Sequence, residues 1–246
     1  VTKRVLLVHG AFHGAWCWEP VISMLVDAGV EATALDLPGH GQDPGPLSDL
    51  HGDAARVRAE LDRLGSDVVL VGHSYGGAVI TEAGDHPAVD HLVYVAAMAL
   101  DSEETCISAA RADAAASGVS YDGRPSLTAG VTEGPDGAMT LEPSAAARCL
   151  YNTCDETTVA WALARLGPQP MATMVQTPSA VAWRSKPSTY VVCAEDLAVH
   201  PGVQRILARR CTTALEWPTD HSPFLCEPER VVHLLSDLAS GAPGSG

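Results

Sequence analysis

Apolar residues collect in six short runs along the chain: RVLLV (4–8), EATAL (31–35), DVVLV (67–71), HLVYVAA (91–97), STYVVCA (188–194) and TTALEW (212–217). Near-continuous apolar stretches of this length suit strands covered on both faces, as in a parallel sheet, better than strands with one wet face. Other segments carry a helical period. Over 19–29, Val21, Leu25 and Ala28 share one face, Pro20 suits a first turn and Gly29 a stop. Over 227–240, Val231, Leu234, Leu235 and Leu238 make an apolar stripe. Strand and helix in alternation, joined by right-handed crossovers, predict an α/β protein with a doubly wound, mostly parallel sheet of about six strands.

The alternation stops between Met98 and Lys186, where no clear strand is visible. Three segments there read as helices, 102–117, 144–151 and 155–166, around a Gly- and Pro-containing loop at 118–143. A structureless loop of that length is improbable in a compact domain. The expected organisation is a core of 1–97 and 187–240, a mostly helical cap inserted at 98–186, and a disordered Gly- and Ser-containing tail at 241–246.

Composition narrows the function. With 46% apolar and 18% charged residues in 246, the chain reads as a folded globular protein. A net charge of −15 without a cluster of Lys and Arg argues against a nucleic-acid partner. The apolar run after Lys3 and Arg4 is cut by His9, too short for a signal-peptide core, and no run reaches the ~20 residues of a membrane span. A cytoplasmic protein with no membrane partner is expected. Seven cysteines, an odd count without a CxxC pair, point to reduced and mostly buried thiols, although Cys149 and Cys154 are near enough in sequence to bridge on oxidation.

The chemistry-bearing motif follows the third run. Gly72-His73-Ser74-Tyr75-Gly76 matches G-x-S-x-G, the nucleophile elbow, and lies between a strand and a helix candidate at 78–83, where that motif must lie. Glycines two before and two after the serine admit the tight turn, which lifts the Ser74 hydroxyl above the carboxyl edge of the sheet. A serine needs an adjacent base, and in this arrangement the order is Ser, acid, His, each partner on a loop after a later strand. His221 in PTDHSPF (218–224) is the candidate base. Asp196 in CAEDLAVHP (193–201) is the candidate acid, with Glu195 and Asp101 as rivals. The oxyanion donors expected are the backbone N–H groups of Tyr75 and, from the loop after the first strand, Ala11. Phe12, His13 and Phe224 flank the loops that frame the site and are candidates for its pocket, as are Tyr121 and Trp161 of the cap; packing into the core is the competing role for the aromatics. Histidines 86 and 91, five apart across a proline, read as a loop entering a strand and not as a metal site.

VLLVHGAFHGAWCWEPVISMLVDAGVEATALDLPGHG, VGHSYGGAVI, YVVCAED and DHSPFLCEPERV resemble the compact α/β-hydrolases that include plant methylesterases, the salicylate-binding esterase, hydroxynitrile lyases and bacterial relatives. The likeness is specific over roughly the first 100 and last 60 residues and loose over the cap, through YNTC (151–154). It implies the α/β-hydrolase fold, Ser74 as nucleophile, His221 as base, Asp196 as acid and the Ala11 and Tyr75 amides as oxyanion hole. Lyase members of the family carry a lysine directly after the catalytic histidine; Ser222 stands there in this chain, which argues for hydrolysis. The expectation is a serine carboxylester hydrolase that acts on a small-molecule ester through an acyl-enzyme and needs neither metal nor organic cofactor. Proton-transfer chemistry on the same triad, and a slow-turnover small-ligand receptor, are the rival readings. A homodimer is left open.

Overall fold

The computed structural model describes residues 3–118, 123 and 125–241. Tyr121 and, apart from Gly241, the tail lie outside the described residues. In chain order the elements are β1 (Arg4–Val8), α1 (Glu19–Asp27), β2 (Ala32–Leu35), α2 (Leu50–Leu64), β3 (Val68–His73), α3 (Gly76–Ala83), β4 (Val89–Val95), α4 (Cys106–Ser117), β5 (Val131–Glu133), β6 (Ala138–Leu141), α5 (Pro143–Leu150), α6 (Glu156–Leu163), β7 (Gln169–Pro170), α7 (Ala172–Val175), β8 (Ser188–Cys193), α8 (Pro201–Ala208), β9 (Thr213–Trp217), α9 (Pro223–Cys226) and α10 (Pro228–Ser240).

Six strands form one parallel sheet in the order β2-β1-β3-β4-β8-β9. Its side chains alternate between two cores, which is why the runs look uniformly apolar in sequence. Leu6, Val8, Val68, Leu70, Leu92, Tyr94, Tyr190 and Val192 face the side covered by α2, α3 and α8. Val5, Leu7, Val69, Val71, Val93, Val95, Val191 and Cys193 face the side covered by α1 and α10. Helix ends follow sequence signals: the Asp49 side chain accepts the Gly52 N–H at the start of α2, Asp155 caps α6, and Gly241 ends α10 in the left-handed region at φ +72°.

The stretch between β4 and β8, expected to be mostly helical with a loop at 118–143, also contains strands. Besides α4, α5, α6 and α7 it holds a second, antiparallel sheet in the order β5-β6-β7, with two of its strands inside the segment that reads as a loop. These strands are two to four residues long and mostly exposed or half-exposed, so they carry neither an apolar run nor a clear alternation. Among the described residues no helix is long and apolar enough to cross a membrane.

Candidate active site

From β1 the chain passes to β2 on one side, whereas β3 takes the other side of β1, so the loops that leave the carboxyl ends of β1 and β3 diverge. Such a switch point opens a crevice in a parallel sheet. Ser74 stands at the end of β3 on that edge, half-exposed, with φ +51°. A non-glycine residue there costs about 1–2 kcal/mol, and the surroundings hold it: Ser74 N–H donates to Val95 O at 3.2 Å, and its carbonyl accepts from Gly77 and Met98, both at 3.0 Å. Neither Gly72 nor Gly76 has room for a side chain. A Cβ on Gly76 would lie 2.6 Å from His9 O, and one on Gly72 would lie 2.5 Å from Gly76 O.

The sheet brings His221 and Asp196 together from the loops after β9 and β8. His221 Nδ1 donates to Asp196 Oδ2 at 2.6 Å, with both side chains buried. The carboxylate is itself fixed. Its Oδ1 accepts the N–H groups of Ala198 and Val199 at 2.6 and 2.9 Å, and Oδ2 also accepts from Gln204 Nε2 on α8 at 2.7 Å. The proton is thereby held on Nδ1, leaving Nε2 of the imidazole as a lone-pair base. Of the rival acids, Asp101 pairs with Arg184, and Glu195 is exposed. Among the described residues Ser74 Oγ and His221 Nε2 form no hydrogen bond; such contacts commonly tighten only in the substrate complex.

His73 links the two groups from below. Its Nε2 donates to the carbonyl of His221 at 2.9 Å, and its ring lies 4.6 Å from the His221 ring, centroid to centroid. Burial first, and then the neighbouring His221 and His13, push its pKa well below the ordinary histidine value, so it packs as a neutral ring. Gly10, two residues beyond β1, lets the opposite loop approach: a Cβ there would lie 2.8 Å from His73 Nδ1 and 2.9 Å from Ser74 Cβ. Among the described residues neither the Ala11 nor the Tyr75 amide donates a hydrogen bond. Tyr75 follows Ser74 directly, which puts its N–H beside the elbow, while its side chain is buried.

The other expected pocket residues divide. His13 is buried in the loop after β1, donating from Nδ1 to Ala11 O and accepting the Tyr151 hydroxyl at Nε2, both at 2.8 Å; burial, above all, lowers its pKa to about 4. Phe12 is almost fully buried at φ +66°, tied to the insertion by its N–H to Gln169 Oε1 and by its carbonyl from Gly167 N–H. Phe224 is not on an open wall. It is fully buried, 4.5 Å from the Trp18 ring and 4.7 Å from that of His73, and so packs beneath the site. Trp161 meets Trp16 edge-on at 5.2 Å and carries the Arg165 guanidinium 4.4 Å above its ring.

Several supporting residues were not legible beforehand. Tyr75 donates its hydroxyl to Asp53 of α2 at 2.5 Å; that carboxyl is wholly buried, its Oδ1 has no partner among the described residues, and burial raises its pKa from 3.8 to about 7. Asp220, next to His221, accepts the N–H groups of Thr153 and Ser222, both at 2.9 Å, joining the loop of the base to the insertion. Gln204 and Asp53 lie on helices whose apolar stripes account for their placement, while nothing in their local sequence signals a link to the site.

The model of the alpha/beta hydrolase family matches residues 5–234. Alpha/beta hydrolase nvfD of Aspergillus novofumigatus is 31% identical over 255 residues, covering 97% of each chain. Methylesterase 9 of Arabidopsis thaliana is 28% identical over 264 residues, covering 98% of this chain and all of its own. Among solved structures, a pyrethroid hydrolase from Sphingobium faniae superposes with a TM-score of 0.81 over 98% of both chains at 21% identity, a likeness of fold.

Proposed function

Because the chain belongs to the alpha/beta hydrolase family, we propose that it is a serine carboxylester hydrolase, with Ser74 as nucleophile, His221 as general base and Asp196 as its orienting acid. Its relatives include named methylesterases, in keeping with hydrolysis of a small carboxylic ester. The observation that carries the reading is the pairing of two independent features at one sheet edge. Ser74 is held at φ +51° between β3 and α3, and His221 is held to a buried Asp196 by a 2.6 Å bond.

In this mechanism His221 Nε2 takes the Ser74 proton as Oγ attacks the ester carbonyl. The Ala11 and Tyr75 amides stabilise the tetrahedral oxyanion, a task in which one donor is worth about 3–4 kcal/mol. Collapse expels the alcohol, protonated by the imidazolium, and leaves an acyl-enzyme. His221 then activates water for deacylation. Ser222, buried where a lyase would use a lysine, supplies no charge for a leaving anion. The seven free cysteines support a reducing, cytoplasmic setting.

The test is an ester panel run on the parent and on Ser74→Ala. A stoichiometric burst of p-nitrophenol from short-chain esters in the parent, absent in the variant, is expected. Equal hydrolysis by both would sink the mechanism.

A further inference from the structure

Cys154, just beyond α5, does not face Cys149, its neighbour in sequence. Its sulfur meets Asp220 and Cys226, and the ligand atoms of these three side chains all lie within 4.8 Å of one another. Cys226 Sγ is 3.2 Å from Asp220 Oδ1, and Cys154 Sγ is 3.8 Å from Oδ2. The carboxylate is fully buried, and among the described residues no Lys, Arg or His forms an ion pair with it. Both sulfurs belong to half-buried residues.

We propose that Cys154, Asp220 and Cys226 form a binding site for one soft divalent metal ion of the zinc class, a site that joins the 98–186 insertion to the loop carrying His221. Two thiolates and one carboxylate are a ligand set that Zn²⁺ accepts in tetrahedral geometry, with the fourth position left to water. The Thr153 and Ser222 amides each hold one oxygen of Asp220, which orients the carboxylate as outer-shell donors do at metal sites and still leaves lone pairs for a cation. Coordination gives the buried carboxylate a cation as direct partner, with the net charge of the cluster unchanged because two protons leave as the ion enters. Thiols bind as thiolates, so binding is an exchange in which M²⁺ enters, two S–H bonds become two S–M bonds, and two protons leave.

The test uses the full chain, reduced with a phosphine, and Co²⁺ as a spectroscopic probe, with Zn²⁺ as competitor. One equivalent of Co²⁺ should produce a thiolate-to-cobalt charge-transfer band and tetrahedral ligand-field bands, both removed by Zn²⁺, with release of about two protons per ion. Cys154→Ser and Cys226→Ser should each weaken binding on the order of 100-fold or more. Cys211→Ser, away from the cluster, should bind as the parent does. Zn²⁺ should raise the melting temperature of the parent and of Cys211→Ser alone. Cobalt bound without the thiolate band, equal affinity in the cluster variants, or a loss of two mass units on peroxide treatment with no metal binding to the reduced chain would each overturn the proposal. Should the serine variants fail to fold, the band and the proton count on the unsubstituted chain decide it.

Discussion

Asp196→Asn tests the geometry of the base with almost no change of shape. Oδ1 accepts two backbone N–H groups, from Ala198 and Val199, so the new amide cannot turn its NH₂ that way without setting donors against donors. The NH₂ must replace Oδ2, where it faces His221 Nδ1 and the Gln204 amide. His221 can accept that donor only at a deprotonated Nδ1, which moves its proton to Nε2 and removes the base from Ser74. The wrong tautomer costs roughly 10⁴-fold in turnover in serine triads, or about 5 kcal/mol of transition-state stabilisation. The stability cost is smaller, about 1.5–3 kcal/mol for the lost charge-assisted bonds. Steady-state hydrolysis of a p-nitrophenyl ester, with a thermal melt to confirm folding, reads both. A folded variant within about tenfold of parental kcat would refute the assignment of Asp196 as the orienting group.

Asp53→Asn should stabilise the protein in a pH-dependent way. With the folded-state pKa of Asp53 raised from 3.8 to about 7, the native carboxyl keeps a proton that the unfolded chain loses, so stability falls as pH rises from about 4 to 7. Urea unfolding at pH 8 should therefore show a gain in the variant of up to about 4 kcal/mol, vanishing by about pH 4. Acid acts in the opposite direction through His9 and His13, lowered to about 3 and about 4 chiefly by burial, and through His73. Between about pH 6.5 and 4 the unfolded chain binds three protons at these histidines that the native chain does not, against one at Asp53. Stability should drop by up to about 2.7 kcal/mol per pH unit on acidification, and melting temperatures that stay flat over that range would contradict the neutral buried rings. Gly10→Ala should lower kcat by roughly 100-fold with little loss of folding, since its methyl meets Ser74 Cβ and His73 Nδ1 at under 3 Å. Unaltered kinetics would show that the loop has room to yield.

What could be read ahead of the structure depended on how local its cause was. The four inner strands of the sheet were legible because burial on both faces leaves a continuous apolar run, the more exposed edge strands β2 and β9 because they continue the same strand–helix alternation, and Ser74 because G-x-S-x-G must sit between a strand and a helix. His221 and Asp196 followed from chain order. The β5-β6-β7 sheet was not, because strands such as Gln169–Pro170 are held by partners distant in sequence and not by a pattern of their own. The same holds for side chains whose role is set by a neighbour: Phe224 lies in the core because Trp18 and His73 meet it there, and Cys154 turns to Cys226 because Asp220 lies between the two loops.

Among the contacts that tie the insertion to the core are three hydrogen bonds: Gln169 to Phe12, Tyr151 to His13 and Thr153 to Asp220. Each anchor meets a loop that also carries a candidate catalytic group. For anyone grafting a relative's insertion onto this core to change ester preference, the segment is thus not a detachable module. A chimera that exchanges 98–186 but loses these three side-chain or amide partners alters substrate choice and slackens the oxyanion and histidine loops together. Its kcat would fall for a reason unrelated to fit, so the graft should keep Tyr151, Thr153 and Gln169 and vary what lies between them.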